Sequence, residues 1–564
     1  MAAGSTPIRG LSQLRFVSLL LVCLVVAAAT TPPSFTEDIE RKIDTFAKKI
    51  MTCRDIVGIS MAVVSGNTTL MAKGYGLANR ATGQPMTGST LCGIASLTKA
   101  FAATLLTKLL SKSSHSLDSR VRDVLGTDFT FSDCERTRRA TIRDLLAHRL
   151  GVPSNNYARM QDGLTRKKLA SIIRFFDAEN EFRNSFVYNN LMYGLATYIS
   201  EKMGGRSWED LLQEHIFTPL DMTSTTFTHV ANLSRSDIAK PYLKFGTSWK
   251  PVSLLLHKYW GELGGSGSIL STAEDMGKWL QFQLGEGPDG TGEVLSRNSL
   301  DETHRPVSVI PESASSAQFR KPHCPVSYTS GEYALGWRRG YYRGWPMILH
   351  TGTSWGYGGL ATLLPDRGLA VYTGITGRDS GYRGRRLLHM YTADLLLGVE
   401  PWLNLTTACS FLPDSRKRPR DTLYTVRPMP SPGEYVGTYG NFAFGNLTVA
   451  EDKSRLILRY GRLGKWSLAP TGRGDRFKGS AIGLVPLTLP VITFDRDSKG
   501  AVQQLQIPKF NPGNPPVFTR RLKESDAPPP QPCADDPAST GSGSGRQCRL
   551  ACLLFFASVW VMTW

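Results

Sequence analysis

The chain has 564 residues, of which 41% are hydrophobic and 20% are charged. This balance is typical of globular proteins, and it excludes a disordered chain, a collagen-like chain and a coiled coil. The length predicts about two to four domains, and 66 Lys and Arg against 47 Asp and Glu give a formal net charge of +19. A basic balance is compatible with nucleic-acid binding, but both ends of the chain indicate a secretory protein, so we expect no nucleic-acid partner.

Residues 1–29 have the features of a secretory signal peptide. Arg9 and Arg15 supply positive charge, an apolar run covers 16–29, and small residues occupy 27–29. A basic segment, a short apolar run and a small-residue cleavage site are typical of such signals. The run is shorter than the about 20 residues that a membrane-spanning helix needs. We therefore expect entry into the secretory pathway, with an uncleaved signal anchor as the alternative.

Residues 30–410 mix helical and strand patterns. An amphipathic helix is predicted at 35–51, followed by strands at 58–64 and 71–76. Helical periodicity then recurs at 96–110, 141–147, 164–176, 190–203, 272–284 and 387–397. Late strands are predicted at 347–350, 359–364 and 369–373. This order indicates an α+β domain whose antiparallel sheet is completed by both ends of the domain, with a helical insertion between them.

The composition and hydrophobic pattern of the chain change after this domain. Residues 411–432 are rich in Pro and basic side chains and are predicted to form a linker. Short alternating runs within 433–522 indicate a small all-β barrel or sandwich. They lie at 435–439, 446–450, 455–460, 466–469, 491–495 and 502–507. Residues 523–545 are rich in Pro, Ser and Gly, a composition typical of a flexible stalk.

The C-terminal end has the features of a glycosylphosphatidylinositol (GPI) signal. Residues 546–564 are mainly apolar and end the chain, and small residues cover 539–545. Small residues, a polar spacer and an apolar tail form such a signal. We expect Ser539 to be the attachment residue, which would bring the protein to the cell surface. A tail anchor or an unprocessed apolar end is the alternative.

Sequons and cysteines agree with a secretory route. N-x-S/T sequons, which predict glycosylation in that pathway, occur at Asn67, Asn232, Asn404 and Asn446. Without the two end segments, the cysteines are Cys53, Cys92, Cys134, Cys324, Cys409 and Cys533. Their even number permits disulfides, but the spacing does not determine the pairing. Because no pair has C-x-x-C spacing, we expect no zinc site. We also expect no other metal and no cofactor.

The first chemical motif is Ser96-Leu97-Thr98-Lys99, at the start of the helix predicted at 96–110. Residues three apart share a helix face, so Ser96 and Lys99 can meet. A serine hydroxyl needs a base before it becomes a good nucleophile, and lysine can supply one where burial or nearby cations lower its pKa. This motif alone is a weak signal. Tyr188-Asn189-Asn190 and His350-Thr351-Gly352 follow it in the chain and strengthen it.

In this order, S-x-x-K, Y-x-N and [KH]-T-G resemble the motifs of the serine β-lactamase and penicillin-binding-protein superfamily. The chain is most similar to its class C-related, peptidase family S12-like branch, over about residues 35–400. Further matching segments lie at 145–151, 264–275 and 333–337. The resemblance implies a β-lactamase/transpeptidase-like antiparallel sheet flanked by helices, with a helical subdomain. The β-rich region at 433–522 resembles the lipocalin-like C-terminal domain of some members.

The resemblance also implies roles for five side chains. Ser96 would be the acylated nucleophile and Lys99 its general base. Tyr188 would relay a proton to the leaving group and help to activate the deacylating water. Asn190 would orient the substrate amide and Lys99. His350 would replace the lysine of the third motif, hold Tyr188 in a proton network and steer the substrate carboxylate or carbonyl.

A backbone oxyanion hole completes the site that the resemblance implies. Its donors would be the N–H groups of Ser96 and Thr353, which stabilise the tetrahedral oxyanion. Thr351 and Gly352 would form the strand edge that binds substrate, where glycine permits close approach. The histidine in the third motif weakens a β-lactamase assignment.

The resulting function is a secreted or cell-surface serine hydrolase that forms an acyl-enzyme on Ser96. A peptidase or amidase of carboxypeptidase or aminopeptidase type ranks first. An esterase of the same fold and a non-catalytic extracellular binding or matrix protein are the alternatives. The partners would be a peptide, amide or ester substrate and, through the tail, a membrane. Homo-oligomers are left open, and the basic charge favours anionic substrates or acidic glycans.

Residues 352–356 also match G-x-S-x-G, the nucleophile elbow of α/β-hydrolases. That elbow needs a strand before Ser354 and a helix after it. The segments that follow, at 359–364 and 369–373, are predicted strands. We therefore reject this alternative.

Overall fold

The chain is described by a computed structural model. The described residues are 34–285, 294–320, 324–411, 431–530 other than 454 and 473, and 533. The predicted signal peptide, nearly all of the basic linker, Ser539 and the apolar tail lie outside them. Within the described ranges, no helix is both long and apolar enough to cross a membrane. The described residues up to Pro530 form one compact unit.

The first part of this unit is built from a sheet and many short helices. Its α-helices are α1 (Glu37–Arg54), α2 (Thr98–Ser111), α3 (Val121–Leu125), α4 (Cys134–Arg139), α5 (Ile142–Leu146), α6 (Arg166–Ile172), α7 (Asn190–Gly204), α8 (Trp208–Leu212), α9 (Leu255–Lys258), α10 (Ala273–Gln283), α11 (Arg297–His304), α12 (Ala314–Ala317), α13 (Arg383–Leu396) and α14 (Thr407–Ser410). Its strands are β1 (Ile56–Ser65), β2 (Thr68–Asn79), β3 (Gln84–Pro85), β4 (Cys92–Gly93), β5 (Thr226–Phe227), β6 (Tyr242–Phe245), β7 (Ser248–Pro251), β8 (Ile269–Ser271), β9 (Ser308–Val309), β10 (Glu332–Tyr333), β11 (Arg338–Tyr342), β12 (Trp345–Ser354), β13 (Tyr357–Leu364) and β14 (Leu369–Gly377).

Nine strands form one antiparallel sheet in the order β3-β2-β1-β14-β13-β12-β11-β10-β9. β1, from the start of the domain, pairs with β14, from its end, with Met61 opposite Thr373. This confirms the prediction of a sheet completed by both ends of the domain. β1 is central because its run of apolar and small residues is buried on both faces, as a continuous apolar run predicts.

Helices cover both faces of the sheet. On one face, α1 packs against α13, and the rings of Phe46 and Tyr391 stack with their centroids 4.0 Å apart. On the other face, α10 lies against β1, β2 and β14. Beyond it lies the helical region, where α2 packs on α7. Both helices are buried nearly all round, because their sequences lack a polar face.

Disulfides involve four of the six cysteines considered above. Cys53 at the end of α1 is bonded to Cys409 in α14, with a Cα–Cα distance of 5.5 Å. Cys134 and Cys533 are also disulfide-bonded. Cys92 and Cys324 are free and buried. The prediction of disulfides is therefore confirmed, although two of the six cysteines remain thiols.

The C-terminal region forms a closed antiparallel barrel of eight strands. These are β15 (Gly437–Asn441), β16 (Gly445–Asp452), β17 (Arg455–Tyr460), β18 (Gly464–Pro470), β19 (Arg476–Ala481), β20 (Leu489–Arg496), β21 (Val502–Gln506) and β22 (Val517–Arg520). The sequence predicted six of them and missed β19 and β22. The barrel shares a continuous apolar core with the helical region. At the junction, the Tyr460 hydroxyl donates to the Tyr157 carbonyl oxygen at 3.1 Å.

Candidate active site

Ser96 lies on a short 3-10 turn, Ala95–Leu97, between β4 and α2. The sequence placed it at the start of the α-helix, which instead begins two residues later. The residue before Ser96 has a left-handed backbone, with φ +49° at Ala95, a conformation that is strained for a non-glycine residue. Ser96 is partly exposed while both of its neighbours are buried. The side chain of Ser96 is therefore accessible, although the turn that carries it is otherwise buried.

Lys99 is fully buried, and its amine contacts three oxygens, none of them charged. Nζ lies 2.6 Å from Oδ1 of Asn190, 3.0 Å from the carbonyl oxygen of Ser266 and 3.2 Å from Oγ of Ser96. Burial holds the pKa of Lys99 well below its ordinary value, because desolvation penalises the ammonium form. A neutral amine has two N–H donors and one lone pair. Asn190 and Ser266 accept the two hydrogens, which leaves the lone pair for the hydroxyl of Ser96.

Tyr188 covers the other side of this pair. The Lys99 amine lies 4.7 Å from the centroid of the Tyr188 ring. Burial raises the pKa of Tyr188, and a hydrogen bond with the Ser96 side chain opposes that rise in part. The phenol is therefore protonated at neutral pH and lies next to the serine hydroxyl. In that state it is a proton donor.

Asn190 joins the first two motifs. It is the first residue of α7, whose N-cap is Asn189; the cap side chain accepts from the N–H groups of Leu191 and Met192 at 2.8 and 3.3 Å, as capping requires. The cap fixes the position of Asn190. Its Oδ1 faces Lys99, and its Nδ2 donates to Oδ1 of Asn156 at 2.8 Å.

His350 lies on β12 and is 1% exposed. Its Nδ1 is 2.9 Å from the Thr351 carbonyl oxygen, and its Nε2 is 3.0 Å from the Tyr333 hydroxyl. Burial, reinforced by the positive charge of Arg338, lowers the pKa of His350 far below its ordinary value. The ring is therefore neutral, with its proton on Nδ1. Its hydrogen bond is with Tyr333 rather than with Tyr188, the partner expected from the sequence, whose ring centroid lies 6.2 Å from that of His350.

His148 lies in the matching segment 145–151, and no motif assigned it a role. It has φ +61° and is 1% exposed. Its Nδ1 accepts from the Asn189 N–H at 3.1 Å, and its ring centroid is 4.4 Å from that of Tyr188. Burial lowers the pKa of His148 far below its ordinary value. A second neutral imidazole thus supports Tyr188 and the cap of α7.

The strand edge beside Ser96 is shaped by Gly352. A Cβ atom at this residue would lie 2.3 Å from the Ile94 carbonyl oxygen and 3.2 Å from the Ser96 nitrogen. Only glycine therefore allows β12 to approach the turn that carries Ser96. Thr351 and Thr353 flank it on the same strand, and Thr353 is exposed. The predicted oxyanion residues, Ser96 and Thr353, are thus on adjacent segments.

Arg385 of α13 supports this strand, and no motif indicated it. Its Nη1 donates to the carbonyl oxygens of Gly352 and Gly359 at 3.2 and 2.6 Å. Its Nε donates to Oδ2 of Asp379 at 2.9 Å, and both side chains are almost fully buried. A buried guanidinium paired in this way joins β12 and β13 at the strand edge next to Ser96.

Ser354 does not lie on a nucleophile elbow. It ends β12, faces Tyr357 at the start of β13, and is followed by a hairpin rather than a helix. The rejection of the α/β-hydrolase alternative is therefore confirmed. In the described part of the chain, no group of three or more His, Cys, Asp or Glu side chains could hold a metal ion.

Comparisons with known proteins agree with this geometry. The family model described as Beta-lactamase matches residues 43–392. An unguisins hydrolase of Aspergillus campestris is 30% identical over 458 residues, which are 75% of this chain and 81% of that protein. Gigasin-6 of Magallana gigas is 31% identical over 232 residues, which are 41% of this chain and 77% of that protein.

A solved structure shows the same fold over most of the chain. It is the octameric penicillin-binding protein homologue from Pyrococcus abyssi, with a TM-score of 0.54 and 22% sequence identity. The match covers 85% of this chain and 99% of that one. At this identity the likeness concerns the fold alone.

Proposed function

The chain belongs to the Beta-lactamase family and is a serine hydrolase, and on that premise we propose that it cleaves peptide or amide bonds through an acyl-enzyme on Ser96. The observation that carries the proposal is the buried amine of Lys99, 3.2 Å from the Ser96 hydroxyl. Its other two contacts are acceptors that match a neutral amine. A base within hydrogen-bond reach is what a serine nucleophile requires.

The proposed acylation involves three proton transfers and exchanges a C–N bond for a C–O bond. The Lys99 amine takes the proton of the Ser96 hydroxyl as Oγ attacks the substrate carbonyl carbon. The N–H groups of Ser96 and Thr353 stabilise the oxyanion, where the loss of one donor typically costs about 2.7–4 kcal/mol. As the C–N bond breaks, the Tyr188 phenol gives its proton to the leaving amine, and the Lys99 ammonium returns a proton to Tyr188.

Deacylation uses the same groups. The neutral Lys99 amine again acts as the base, now for a water molecule that attacks the ester of Ser96, and the resulting ammonium gives its proton to Oγ, with the protonated Tyr188 beside it as a relay. Release of the acid restores the hydroxyl. Asn190 keeps the amine in place in both steps. His350 acts as a neutral support for Tyr333 and adds no charge beside Lys99, so the amine stays neutral.

The protonated Tyr188 favours an amide over an ester as substrate. An amine is a poor leaving group unless it receives a proton, whereas an activated or phenolic alcohol can leave without one. Because burial keeps the phenol of Tyr188 protonated, the site provides the acid that amide cleavage needs. We therefore rank a peptidase or amidase before an esterase.

We also propose that the protein acts in the secretory pathway or at the cell surface. The predicted sequon residues are all exposed in the structure: Asn67, Asn232, Asn404 and Asn446. Disulfides persist in oxidising compartments, and the structure contains a disulfide between Cys53 and Cys409. A mobility shift on treatment of the expressed protein with an N-glycosidase tests this; an unshifted band would contradict it.

The test of the peptidase proposal is turnover of matched libraries of D- and L-peptide amides and of esters with the same acyl groups. We expect the purified protein to cleave amides, and the S96A variant to cleave neither class. Cleavage of esters alone would replace the peptidase with the esterase. No turnover by a folded protein would contradict a hydrolytic function. The non-catalytic binding or matrix protein would then be the remaining alternative.

A further inference from the structure

Arg159 is a buried cation next to the site described above. The residue is 6% exposed, and burial lowers its pKa to about 10, so it stays charged at neutral pH. Its guanidinium carbon is 4.3 Å from the centroid of the Trp260 ring and 5.2 Å from that of Trp355. Its Nε and Nη1 are buried, and no acceptor among the described residues is within hydrogen-bond distance of them. A buried charge normally has an ionic or hydrogen-bonded partner.

Three segments of the active site meet at this arginine. Arg159 belongs to the 3-10 turn Asn156–Met160, whose first residue accepts from Asn190. Trp355 comes directly after β12, two residues beyond Thr353. Trp260 lies against Gly267, beside the Ser266 carbonyl that contacts Lys99. The guanidinium thus lies at a junction of the segments that hold the catalytic groups.

The two tryptophans are held by one hydrogen-bond network. Trp260 Nε1 donates to Oγ of Ser354 at 3.1 Å, and this oxygen is 3.2 Å from Nδ1 of His257. His257 Nε2 is 3.0 Å from the Trp355 carbonyl oxygen. Burial lowers the pKa of His257 to about 4. The neutral ring therefore accepts from Ser354 and donates to Trp355, and every group in the network has a partner.

Arg159 also lines a cavity of about 280 Å³ between the helical region and the barrel. Leu164, Tyr259 and the acidic residue Glu262 contribute to the cavity from the first side, and Arg462 and Leu463 from the second. Stacking against aromatic rings stabilises a guanidinium through its faces. It leaves the N–H groups of Nε and Nη1 for acceptors in the plane of the guanidinium.

We propose that Arg159 binds a carboxylate of the substrate that Ser96 attacks, so that the enzyme selects acyl donors with an acidic group. This rests on the proposed function. A guanidinium N–H group binds a carboxylate oxygen in a charge-assisted hydrogen bond, and neither Nε nor Nη1 of Arg159 has an acceptor among the described residues. The net charge of +19 agrees with an anionic substrate.

The test uses 4-nitrophenyl half-esters of succinic, glutaric and adipic acid, each beside the diester in which a methyl group caps the free acid. We expect the native protein to prefer the free acid of at least one length. In R159M this preference should fall about 10- to 100-fold through loss of kcat/KM on the acid, with the capped diester unchanged. In R159K, which keeps the charge but loses the fork, it should fall in part.

The matched control is K258M, which removes an exposed cation that lines the same cavity. It should keep the preference of the native protein. A preference that persists in R159M, or that falls equally in K258M, would overturn the assignment of Arg159.

A binding experiment separates this proposal from the proposed function. Glutarate should bind the S96A protein in titration calorimetry, and the S96A/R159M protein should not bind it. If no ester acylates Ser96 but glutarate binding depends on Arg159, the hydrolase function fails and the carboxylate site stands. If Arg159 binds glutarate while the acid and the capped ester react alike, the site serves a free anion and its substrate role is wrong.

Discussion

The side-chain amine of Lys99 lies 2.6 Å from Oδ1 of Asn190, 91 residues further along the chain. This contact joins the S-x-x-K and Y-x-N motifs in one hydrogen-bonded pair inside the core. The acceptor is an uncharged amide, and the hydrogen bonds of the amine to the described residues go to Asn190, Ser266 and Ser96, none of them a carboxylate. Asn190 therefore orients the amine without stabilising its protonated form.

Replacing Asn190 by Asp tests this relationship. A carboxylate beside Lys99 would favour the ammonium form and raise its pKa. We expect N190D to acylate Ser96 about 100-fold more slowly at pH 7 and to regain rate as the pH rises. The measurement is the pH profile of labelling by a fluorophosphonate. N190A removes the hydrogen bond but adds no charge, so its acid limb should not move upward; equal profiles for the two variants would contradict the argument.

The neutral state of Lys99 has a signature in stability. The folded pKa is below that of an unfolded lysine, so between the two values the unfolded chain binds one more proton than the folded protein. Stability then rises with pH in that window. The native protein should therefore gain stability relative to K99M from pH 7 to 9. We expect its free energy of unfolding minus that of K99M to increase by up to about 1.4 kcal/mol per pH unit.

Urea denaturation at several pH values measures this difference. K258M, which alters an exposed lysine, should give a difference that stays constant with pH. A constant difference for K99M as well would mean that the buried amine is protonated in the folded protein.

Tyr333 is expected to stabilise the domain through His350. Its hydroxyl is 3.0 Å from Nε2 of a ring that is otherwise buried. Y333F leaves that nitrogen without a donor, which typically costs about 1–3 kcal/mol. Y341F, which removes the hydroxyl of an exposed tyrosine on β11, should stay within about 0.5 kcal/mol. Equal stability of the two variants in chemical denaturation would show that the contact with His350 contributes nothing.

The disulfide between Cys53 and Cys409 joins two helices at the ends of the hydrolase region. It restricts the unfolded chain over a separation of 356 residues. The double variant C53A/C409A should lose about 2–4 kcal/mol of stability, measured as a lower denaturation midpoint. A midpoint equal to that of the native protein would contradict a stabilising role.

The sequence could bring Ser96, Lys99 and Asn190 together because they lie in short motifs. Ser96 and Lys99 are three residues apart on one helical segment, and Asn190 follows a capping residue. The Ser266 carbonyl could not be predicted, because it meets Lys99 from 167 residues away. The disulfide pairing depends on tertiary structure in the same way. Arg159 gave no signal, since nothing local marks a buried cation without a partner.

The element boundaries also could be predicted where the signal is local and not where it depends on the surrounding structure. Long strands with apolar runs were predicted within a few residues, as β1 and β13 show. β19 was missed because its sequence, Arg-Phe-Lys-Gly-Ser-Ala, contains charges and a glycine in place of apolar alternation. The helix after Ser96 begins at Thr98 because the left-handed Ala95 leads into a 3-10 turn first. Neither feature is visible in hydrophobic periodicity.

The most direct test of the central claim is intact-protein and peptide mass spectrometry after exposure to a fluorophosphonate. We predict one adduct per chain, located on Ser96, that is lost in S96A and kept in S354A. A folded protein that stays unlabelled, or an adduct on Ser354 that survives in S96A, would contradict it.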